Sequence, residues 1–214
     1  MNKQRLAIIG AGDMARQIAH YVANDKRYEV IGFVDDYTPV NSPVGKYSVL
    51  SKLDSAETNF KKGLFDLLIV AVGYSRMNYR KLVFDMFDGI IPFATFVHSS
   101  CFIDSSVNLS RGVIVFPGCV IDSNVTLGKN VFVHCGSVIS HDSKVGSHTY
   151  VSPSVSIAGN CVIGESCILG ISTTIIDRIS ICESVRTGGG TVVINNINEA
   201  GTYVGVPARK INDK

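Results

Sequence analysis

Hydrophobic positions recur every six residues through the second half of the chain, from Cys101 to Ser184 without interruption. The first position of each hexad is mostly small or β-branched, as in Cys101, Val107 and Val113. A helix requires apolar spacing of about 3.6 residues and an isolated strand requires alternation, whereas a six-residue period is typical of a short strand and a turn repeated. The pattern predicts a parallel β-helix. The third position is aliphatic in all fourteen hexads: Ile103, Leu109, Val115, Ile121, Leu127, Val133, Ile139, Val145, Val151, Ile157, Ile163, Leu169, Ile175 and Ile181.

This run resembles the hexapeptide-repeat acyltransferases over about half of the chain. In that family three hexads make one coil of a triangular prism, which winds left-handed against the usual hand of parallel crossovers. The resemblance therefore implies an all-β left-handed parallel β-helix with eighteen residues per coil. Residues eighteen apart would lie on the same face of adjacent rungs, about 4.8 Å from each other. His141 and Gly159 are such a pair.

The first 36 residues read as the opening of a nucleotide-binding α/β unit. An apolar run from Arg5 leads into Gly10-Ala-Gly12-Asp-Met-Ala15 and then a helical pattern through Val22, the strand-turn-helix context that a GxGxxA motif requires. Glycines there allow backbone N–H groups and the helix N-terminus to approach a phosphate. A second strand, 28–34, ends in Asp35 and Asp36, about where a ribose-binding carboxylate would lie. Alone, these features favour NAD binding.

The segment after Asp36 is too short for a full dinucleotide fold. A loop with two prolines, a short polar helix, a buried strand over 66–72 closed by Gly73 and an amphipathic helix over 75–87 follow. We expect Tyr79, Leu82, Val83 and Met86 on the buried face of that helix. About 98 residues accommodate one βαβαβ half, which suits a mononucleotide. The predicted division is an α/β half-Rossmann domain over 1–98 and a β-helix with a C-terminal tail over 99–214.

Beyond Ser184 the repeat loosens, because Thr187 interrupts the aliphatic position before a last predicted rung over 191–194. The end of the chain, 201–211, resembles the closing GxPA-(R/K) segment of hexapeptide acyltransferases, which lies near the CoA end of the prism. The resemblance implies that Arg209 and Lys210 are either ligands for CoA phosphates or ordinary surface charges.

Composition narrows the function classes. The formal net charge is +2 and there is no basic block, so binding to nucleic acid or to a membrane surface has no support. The chain contains no run of eighteen apolar residues, and its apolar start is too short for a signal peptide, so we expect a cytoplasmic protein. The six cysteines form no CxxC motif, and we interpret them as reduced, mostly buried thiols without a chemical role.

The dipeptide His141-Asp142 is the candidate for chemistry. It lies at the turn of its hexad, where side chains point outwards and are not needed for packing. Acetyl transfer to an amine requires a base, which an imidazole can supply, and a neighbouring carboxylate can fix its tautomer or stabilise the imidazolium. Gly159, one rung on, offers a backbone N–H to a thioester oxyanion. A solvated turn histidine is the alternative interpretation.

Together, GAGDMA, VDD, the unbroken hexads and VISHDSKVG resemble the family of sialic acid O-acetyltransferases and nucleotide-aminosugar N-acetyltransferases across nearly the whole chain. The resemblance implies a homotrimer with acetyl-CoA between neighbouring prisms, no metal, and a UDP- or dTDP-linked 4-amino-4,6-dideoxy sugar in the N-terminal domain. It implies His141 as base, Asp142 as its partner and direct transfer with Gly159 at the oxyanion. We expect the remaining substrate contacts from Gly10, Gly12, Asp13, Met14, Asp35, Asp36, Gly73 and Tyr150.

The chain departs from the family pattern in two places on the substrate side. Some members have a loop histidine where this chain has Met14, and some have a second histidine where it has Tyr150. We expect these two positions to affect which sugar binds more than they affect the transfer of the acetyl group. O-acetylation of a sialic acid therefore stays the alternative reaction, and a non-catalytic nucleotide-binding scaffold is the alternative class.

Two further readings rest on single motifs. His134, His141 and His148 recur every seven residues, which suggests a zinc site, but a seven-residue spacing is out of phase with a six-residue repeat and places them on successive faces of one prism. An NAD-dependent dehydrogenase would need a second half-fold and a substrate domain that the chain lacks.

Overall fold

A computed structural model describes residues 3–211 of the chain. These residues form two compact units that divide between Thr95 and Phe96. Within the described range, no helix combines the length and the apolar character needed to cross a bilayer.

The N-terminal unit is a five-stranded sheet with helices packed on it. Its strands are β1 (Gln4–Ile9), β2 (Tyr28–Val34), β3 (Pro43–Val44), β4 (Tyr47–Ser51) and β5 (Leu67–Val70). Its helices are α1 (Asp13–Val22), α2 (Ala56–Lys61) and α3 (Met77–Phe87), with 3₁₀ turns at Leu53–Ser55 and Tyr74–Arg76. The order is β3-β4-β2-β1-β5, in which only β3 runs antiparallel to its neighbour. The carboxyl ends of β1, β2 and β5 therefore meet at one edge, where ligands bind in open α/β sheets.

The connections confirm the half-Rossmann prediction and add one departure. The chain crosses from β1 to β2 through α1 as in a doubly wound fold. From β2 to β4 it passes through a loop and the two-residue β3, so no helix covers the sheet at that crossover. A short 3₁₀ turn and α2 then lead to β5 on the other side of β1.

The prediction for the buried face of α3 is wrong in part. Val83 is buried as expected, but Leu82 and Met86 are 58% and 47% exposed. The buried stripe runs through Arg80, Val83, Phe84 and Phe87, because the two phenylalanines bring more apolar surface to the sheet than Leu82 and Met86 do. Arg80 is accommodated there by donating to the carbonyl oxygens of Val70 (2.9 Å) and Val72 (3.3 Å).

The C-terminal unit is the predicted left-handed parallel β-helix. Face 1 contains Phe96–Val97, Ile114–Val115, Phe132–Val133, Tyr150–Val151, Ile168–Leu169, Val185–Thr187, Gly201–Val204 and Arg209–Ile211. Face 2 contains Phe102–Ile103, Val120–Ile121, Val138–Ile139, Ser156–Ile157, Thr174–Ile175 and Val192–Val193. Face 3 contains Asn108–Leu109, Thr126–Leu127, Lys144–Val145, Val162–Ile163 and Ser180–Ile181. Val120 pairs with Val138 and Val138 with Ser156, which confirms the eighteen-residue coil.

The interior is built from the third and first positions of the hexads. The aliphatic third positions from Val115 to Ile181 are all buried. First-position hydroxyls are buried too, and they donate to a carbonyl oxygen fifteen residues later, as Ser143 does to Ala158 (2.9 Å) and Thr149 to Gly164 (2.9 Å). A polar atom in a narrow apolar core is thereby satisfied by the next rung.

The corners of the prism need one left-handed residue each. The sixth position of the hexad has a positive φ at every rung from Gly112 to Gly190. Asn124, Asp142 and Asn160 occupy it at one corner with φ near 58°. Asn and Asp tolerate this conformation better than most residues, so the repeat itself favours an acidic or amide side chain beside the fifth position.

The ends of the β-helix differ from the hexad pattern. Phe96–Val97 pairs with Ile114–Val115, so the first strand precedes the first hexad recognised in the sequence. At the other end, Thr187 stands in the aliphatic position, where its hydroxyl bonds to the hydroxyl of Thr173 (2.7 Å). An antiparallel pairing of Gly201–Val204 with Arg209–Ile211 closes the stack.

Candidate active site

His141 and Asp142 lie together at the corner between faces 2 and 3. Nδ1 of His141 is 2.8 Å from Oδ2 of Asp142, and the two side chains are 50% and 47% exposed. The corner turn places both outside the prism, because the fifth and sixth positions follow the strand that carries the inward Ile139. A half-exposed imidazole held by a carboxylate is positioned to exchange a proton with a bound substrate.

Asn124 holds the second oxygen of the same carboxylate. Its Nδ2 donates to Oδ1 of Asp142 at 3.1 Å from the preceding rung. The hydrogen bond from His141 and then the one from Asn124 hold the pKa of Asp142 below its usual range. Since an ionised carboxylate only accepts hydrogen bonds, the proton of a neutral His141 lies on Nδ1, and Nε2 keeps its lone pair. Asn124 was not among the residues predicted for the site, although it lies one coil of eighteen residues before Asp142.

Gly159 lies against the imidazole from the following rung. A β-carbon built on Gly159 would be 2.6 Å from Nε2 of His141 and 2.7 Å from Cε1, so any side chain at this position would displace the ring. The N–H of Gly159 meets no acceptor among residues 3–211. The structure thus brings Nε2 of His141 and the backbone of Gly159 together, as the eighteen-residue spacing predicted.

Tyr150 lies elsewhere on the prism. It belongs to face 1, where its ring stacks on Phe132 with centroids 5.1 Å apart and planes 8° from parallel, and it is 3% exposed. Within one chain the structure does not bring Tyr150 to the corner of faces 2 and 3 that carries His141.

The three histidines at seven-residue spacing lie at three different corners. His134 follows a face 1 strand, His141 a face 2 strand and His148 a face 3 strand. His134 packs on Phe116 with ring centroids 5.0 Å apart, and burial lowers its pKa. Across residues 3–211 no three His, Cys, Asp or Glu side chains converge as ligands for a metal ion.

A cavity of about 190 Å³ opens at the carboxyl edge of the N-terminal sheet. Of the predicted substrate contacts, five line it: Gly10, Gly12, Asp35, Asp36 and Gly73. Met14 lies just outside, with its Cε 3.8 Å from a β-carbon built on Gly73. Asp13 points to solvent, where its 96% exposed side chain pairs with Arg16.

The two aspartates after β2 already have structural partners. Both oxygens of Asp35 accept backbone N–H bonds, from Ala11 (3.0 Å) on one and from Tyr37 (3.0 Å) and Thr38 (2.6 Å) on the other. Oδ1 of Asp36 accepts from the N–H of Leu53 at 2.9 Å. These bonds hold the loop after β2 beside the glycine loop and shape the cavity wall.

Two residues that no motif predicted, Arg76 and Tyr79, also line the cavity. Arg76 lies over the ring of Tyr37, with its guanidinium carbon 5.1 Å from the ring centroid, and Tyr79 lines the same wall. Burial, followed by the charges of Asp36 and its neighbours, raises the pKa of Tyr79, so it stays a neutral hydrogen-bond donor. Arg76 sits on a 3₁₀ turn after β5, and its location in the cavity depends on the sheet order rather than on any motif.

Residues 5–87 match the family model of the PglD N-terminal domain. No curated protein matches the chain.

Solved structures match both units together. The acetyltransferase domain of PglB from Neisseria gonorrhoeae is 24% identical, with a TM-score of 0.90 over 98% of this chain and 100% of that one. An H141A mutant of GDP-perosamine N-acetyltransferase from Caulobacter crescentus, in complex with CoA and GDP-perosamine, is 25% identical with a TM-score of 0.89 over 97% of each chain. The chain therefore has the fold of the hexapeptide-repeat acetyltransferases. WeeI from Acinetobacter baumannii shares the fold at 20% identity, with a TM-score of 0.82 over 96% of this chain and 99% of that one.

Three of the six cysteines are buried inside the prism. The thiols of Cys119, Cys161 and Cys167 are buried and donate to the carbonyl oxygens of the next rung at 3.1 to 3.2 Å. Burial raises the pKa of Cys161 and raises that of Cys167 to about 11, so both stay protonated thiols. Neither is a nucleophile in this state.

The closing hairpin, in which Gly201–Val204 pairs with Arg209–Ile211, carries two cations with different partners. Lys210 forms an ion pair with Glu199, whereas the side chain of Arg209 donates to the carbonyl oxygen of Ala208 at 3.2 Å and is otherwise exposed. Arg209 is therefore the more available of the two to an anionic ligand.

Proposed function

We propose that this acetyltransferase transfers the acetyl group of acetyl-CoA to the amine of a nucleotide-linked amino sugar. The observation that carries the proposal is the corner of faces 2 and 3, where Asp142 holds Nδ1 of His141 and Nε2 lies beside the backbone of Gly159. The relatives support the cosubstrate and the amine, because perosamine N-acetyltransferase was crystallised with CoA and GDP-perosamine as two variants of one histidine, to alanine and to asparagine.

The proposed reaction is a direct transfer without an acyl-enzyme. Nε2 of His141 removes a proton from the sugar amine as its nitrogen bonds to the acetyl carbonyl carbon. The N–H of Gly159 donates to the oxyanion of the tetrahedral intermediate. The carbon–sulfur bond then breaks, CoA leaves as a thiolate, and the imidazolium returns the proton to the thiolate or to solvent. The Asp142 carboxylate stabilises the imidazolium between these steps.

The cavity at the carboxyl edge of the N-terminal sheet favours a nucleotide-linked acceptor over a free sialic acid. Its glycine loop at the start of α1 suits a diphosphate, and Arg76 supplies a cation to the same space. We propose the C4 amine of a 4-amino-4,6-dideoxy sugar as the acceptor, linked to UDP, dTDP or GDP. GDP enters because the Caulobacter relative binds GDP-perosamine.

We also propose that three copies assemble, with the acetyl-CoA groove between neighbouring prisms. Successive rungs of face 2 expose the apolar side chains of Phe102 (59%), Val120 (38%) and Val138 (37%), next to the corner that carries His141. A second prism that packs on this strip would bury its apolar surface and form the other side of the site at His141. Light scattering that gives the mass of three chains supports this assembly, and a monomer mass contradicts it.

The experiment is a thiol-release assay with acetyl-CoA against UDP-, dTDP- and GDP-linked 4-amino-4,6-dideoxy sugars, with free sialic acid included. Turnover with a nucleotide amino sugar supports the proposal and names the acceptor. Turnover with sialic acid alone changes the reaction to O-acetylation. No turnover while acetyl-CoA still binds makes the acceptor class wrong, and no binding of acetyl-CoA favours a scaffold.

A further inference from the structure

A second cavity in the N-terminal unit lies away from the glycine loop. It encloses about 310 Å³ between the second half of α1 and the turn from β3 to β4. Tyr47 of β4 forms its aromatic wall and packs edge-on against the fully buried Phe33 of β2, with ring centroids 6.0 Å apart. None of the predicted or observed residues of the carboxyl-edge cavity lines it.

The topology explains why this space is open. In a doubly wound fold the crossover from the second strand to the next one contributes a helix beside the first helix. Here that crossover is a loop with the two-residue β3, so the face of β2 and β4 next to α1 has no helix over it. On the other side, α1 presents Arg16, Ala19 and His20 to the same space, and Ala23 follows directly after the helix.

The rim of the cavity is basic. Arg16, His20 and Lys46 line it, and no Asp or Glu does. The Nζ of Lys46 lies 5.2 Å from the centroid of the Tyr47 ring, which holds the ammonium at the mouth of the aromatic wall. The ion pair of Arg16 with Asp13 lies at an exposed position, where such pairs contribute little and yield readily to a competing anion.

We propose that this cavity binds a small aromatic anion, a ring that bears a carboxylate, sulfonate or phosphate. The aromatic wall contacts the ring, and the rim cations hold the anionic group. A volume of about 310 Å³ is at the small end of the range for small-molecule sites, which favours a metabolite over a folded partner. The proposal is independent of the acetyl transfer, since it uses no residue of the His141 corner or of the carboxyl-edge cavity.

The test is a titration with the fluorescent aromatic sulfonate anilinonaphthalene sulfonate, using the full-length protein. We expect saturable binding that weakens with salt, and a Kd at least about tenfold higher in Lys46→Glu and in Ala23→Phe, which fills the cavity. Lys26→Glu is the matched control, because it makes the same charge change at an exposed position outside the cavity. Circular dichroism shows whether Ala23→Phe is folded, and Lys46→Glu carries the test if it is not.

Three results overturn the proposal. The first is equal probe affinity in the wild type and both cavity variants. The second is an equal loss of probe affinity in Arg76→Ala, which would place the probe in the carboxyl-edge cavity, because Arg76 lines that cavity and not this one. The third is a change of oligomer mass in Lys46→Glu measured by sedimentation, which would make this face an interface between copies of the chain.

Discussion

The two units build their candidate sites by different means. At the His141 corner every neighbour is fixed by the repeat, since Asn124, Asp142 and Asn160 take the same backbone conformation on successive rungs. The walls of the carboxyl-edge cavity come from loops that follow three separate strands. Arg76 reaches this cavity from a turn that carries no sequence motif. Residue spacing therefore locates catalytic partners in the prism, whereas substrate contacts in the N-terminal unit require the sheet order.

The largest expected effect is at His141. Replacing it with alanine removes the only imidazole at its corner within residues 3–211, and we expect kcat to fall by about 10² to 10⁴-fold, as for a general base. Binding of acetyl-CoA should change little. Thiol release and calorimetry measure the two quantities. His98→Ala, at another corner where Nδ1 bonds to Ser100, is the matched control, and retained turnover in His141→Ala would falsify the proposed base.

Gly159→Ala tests the close approach of two rungs. The added methyl group would lie 2.6 Å from Nε2 of His141, so the imidazole must move, and we expect kcat to fall by roughly 10² to 10³-fold. Gly189→Ala is the matched control, because it occupies the same hexad position at another corner and its methyl group meets nothing closer than 3.5 Å. Equal activity in the two variants would mean that the ring position does not matter.

The β-helix and helix α3 show how much of the protein could be predicted from its sequence. The β-helix and the pairing of His141 with Gly159 follow from a period of six, because each rung repeats the previous one. The buried face of α3 does not follow in the same way, since Phe84 stacks on Phe93 at a centroid distance of 4.2 Å and Leu82 has no such partner. Which apolar stripe a helix buries depends on side chains that are distant in sequence.

Arg76→Ala tests the carboxyl-edge cavity, where we expect a change in KM and not in kcat. If Arg76 contacts the phosphates of the nucleotide, its loss removes a charge-assisted hydrogen bond and raises KM for the amino sugar roughly tenfold or more. The value of kcat should change little, because the contact is equally strong in the ground and transition states. Lys81→Ala, on the exposed side of α3 in an ion pair with Asp85, is the control. A fall in kcat at constant KM would place Arg76 in another role.

The smallest expected effect is at Asn124, which is part of the repeat and also contacts the carboxylate of Asp142. Asn124→Ala removes one of the two hydrogen bonds that hold the pKa of Asp142 below its usual range, so that pKa should rise in a carbon-13 NMR titration. Because the lowered pKa keeps Asp142 ionised as the pH falls, the variant should protonate it at a higher pH than the wild type does. We expect kcat to fall about two- to tenfold, the range for one lost hydrogen bond.

Asn160→Ala is the control for that variant, and it decides what Asn124 does. Both asparagines have φ of 58°, so alanine introduces the same backbone strain at the same corner, one rung on either side of Asp142. Of the two asparagines, only Asn124 donates to the Asp142 carboxylate. If the two variants lose activity equally and the pKa of Asp142 stays constant, Asn124 serves the turn alone. If Asn124→Ala alone changes both, the repeat has added a third polar group to the His141–Asp142 pair.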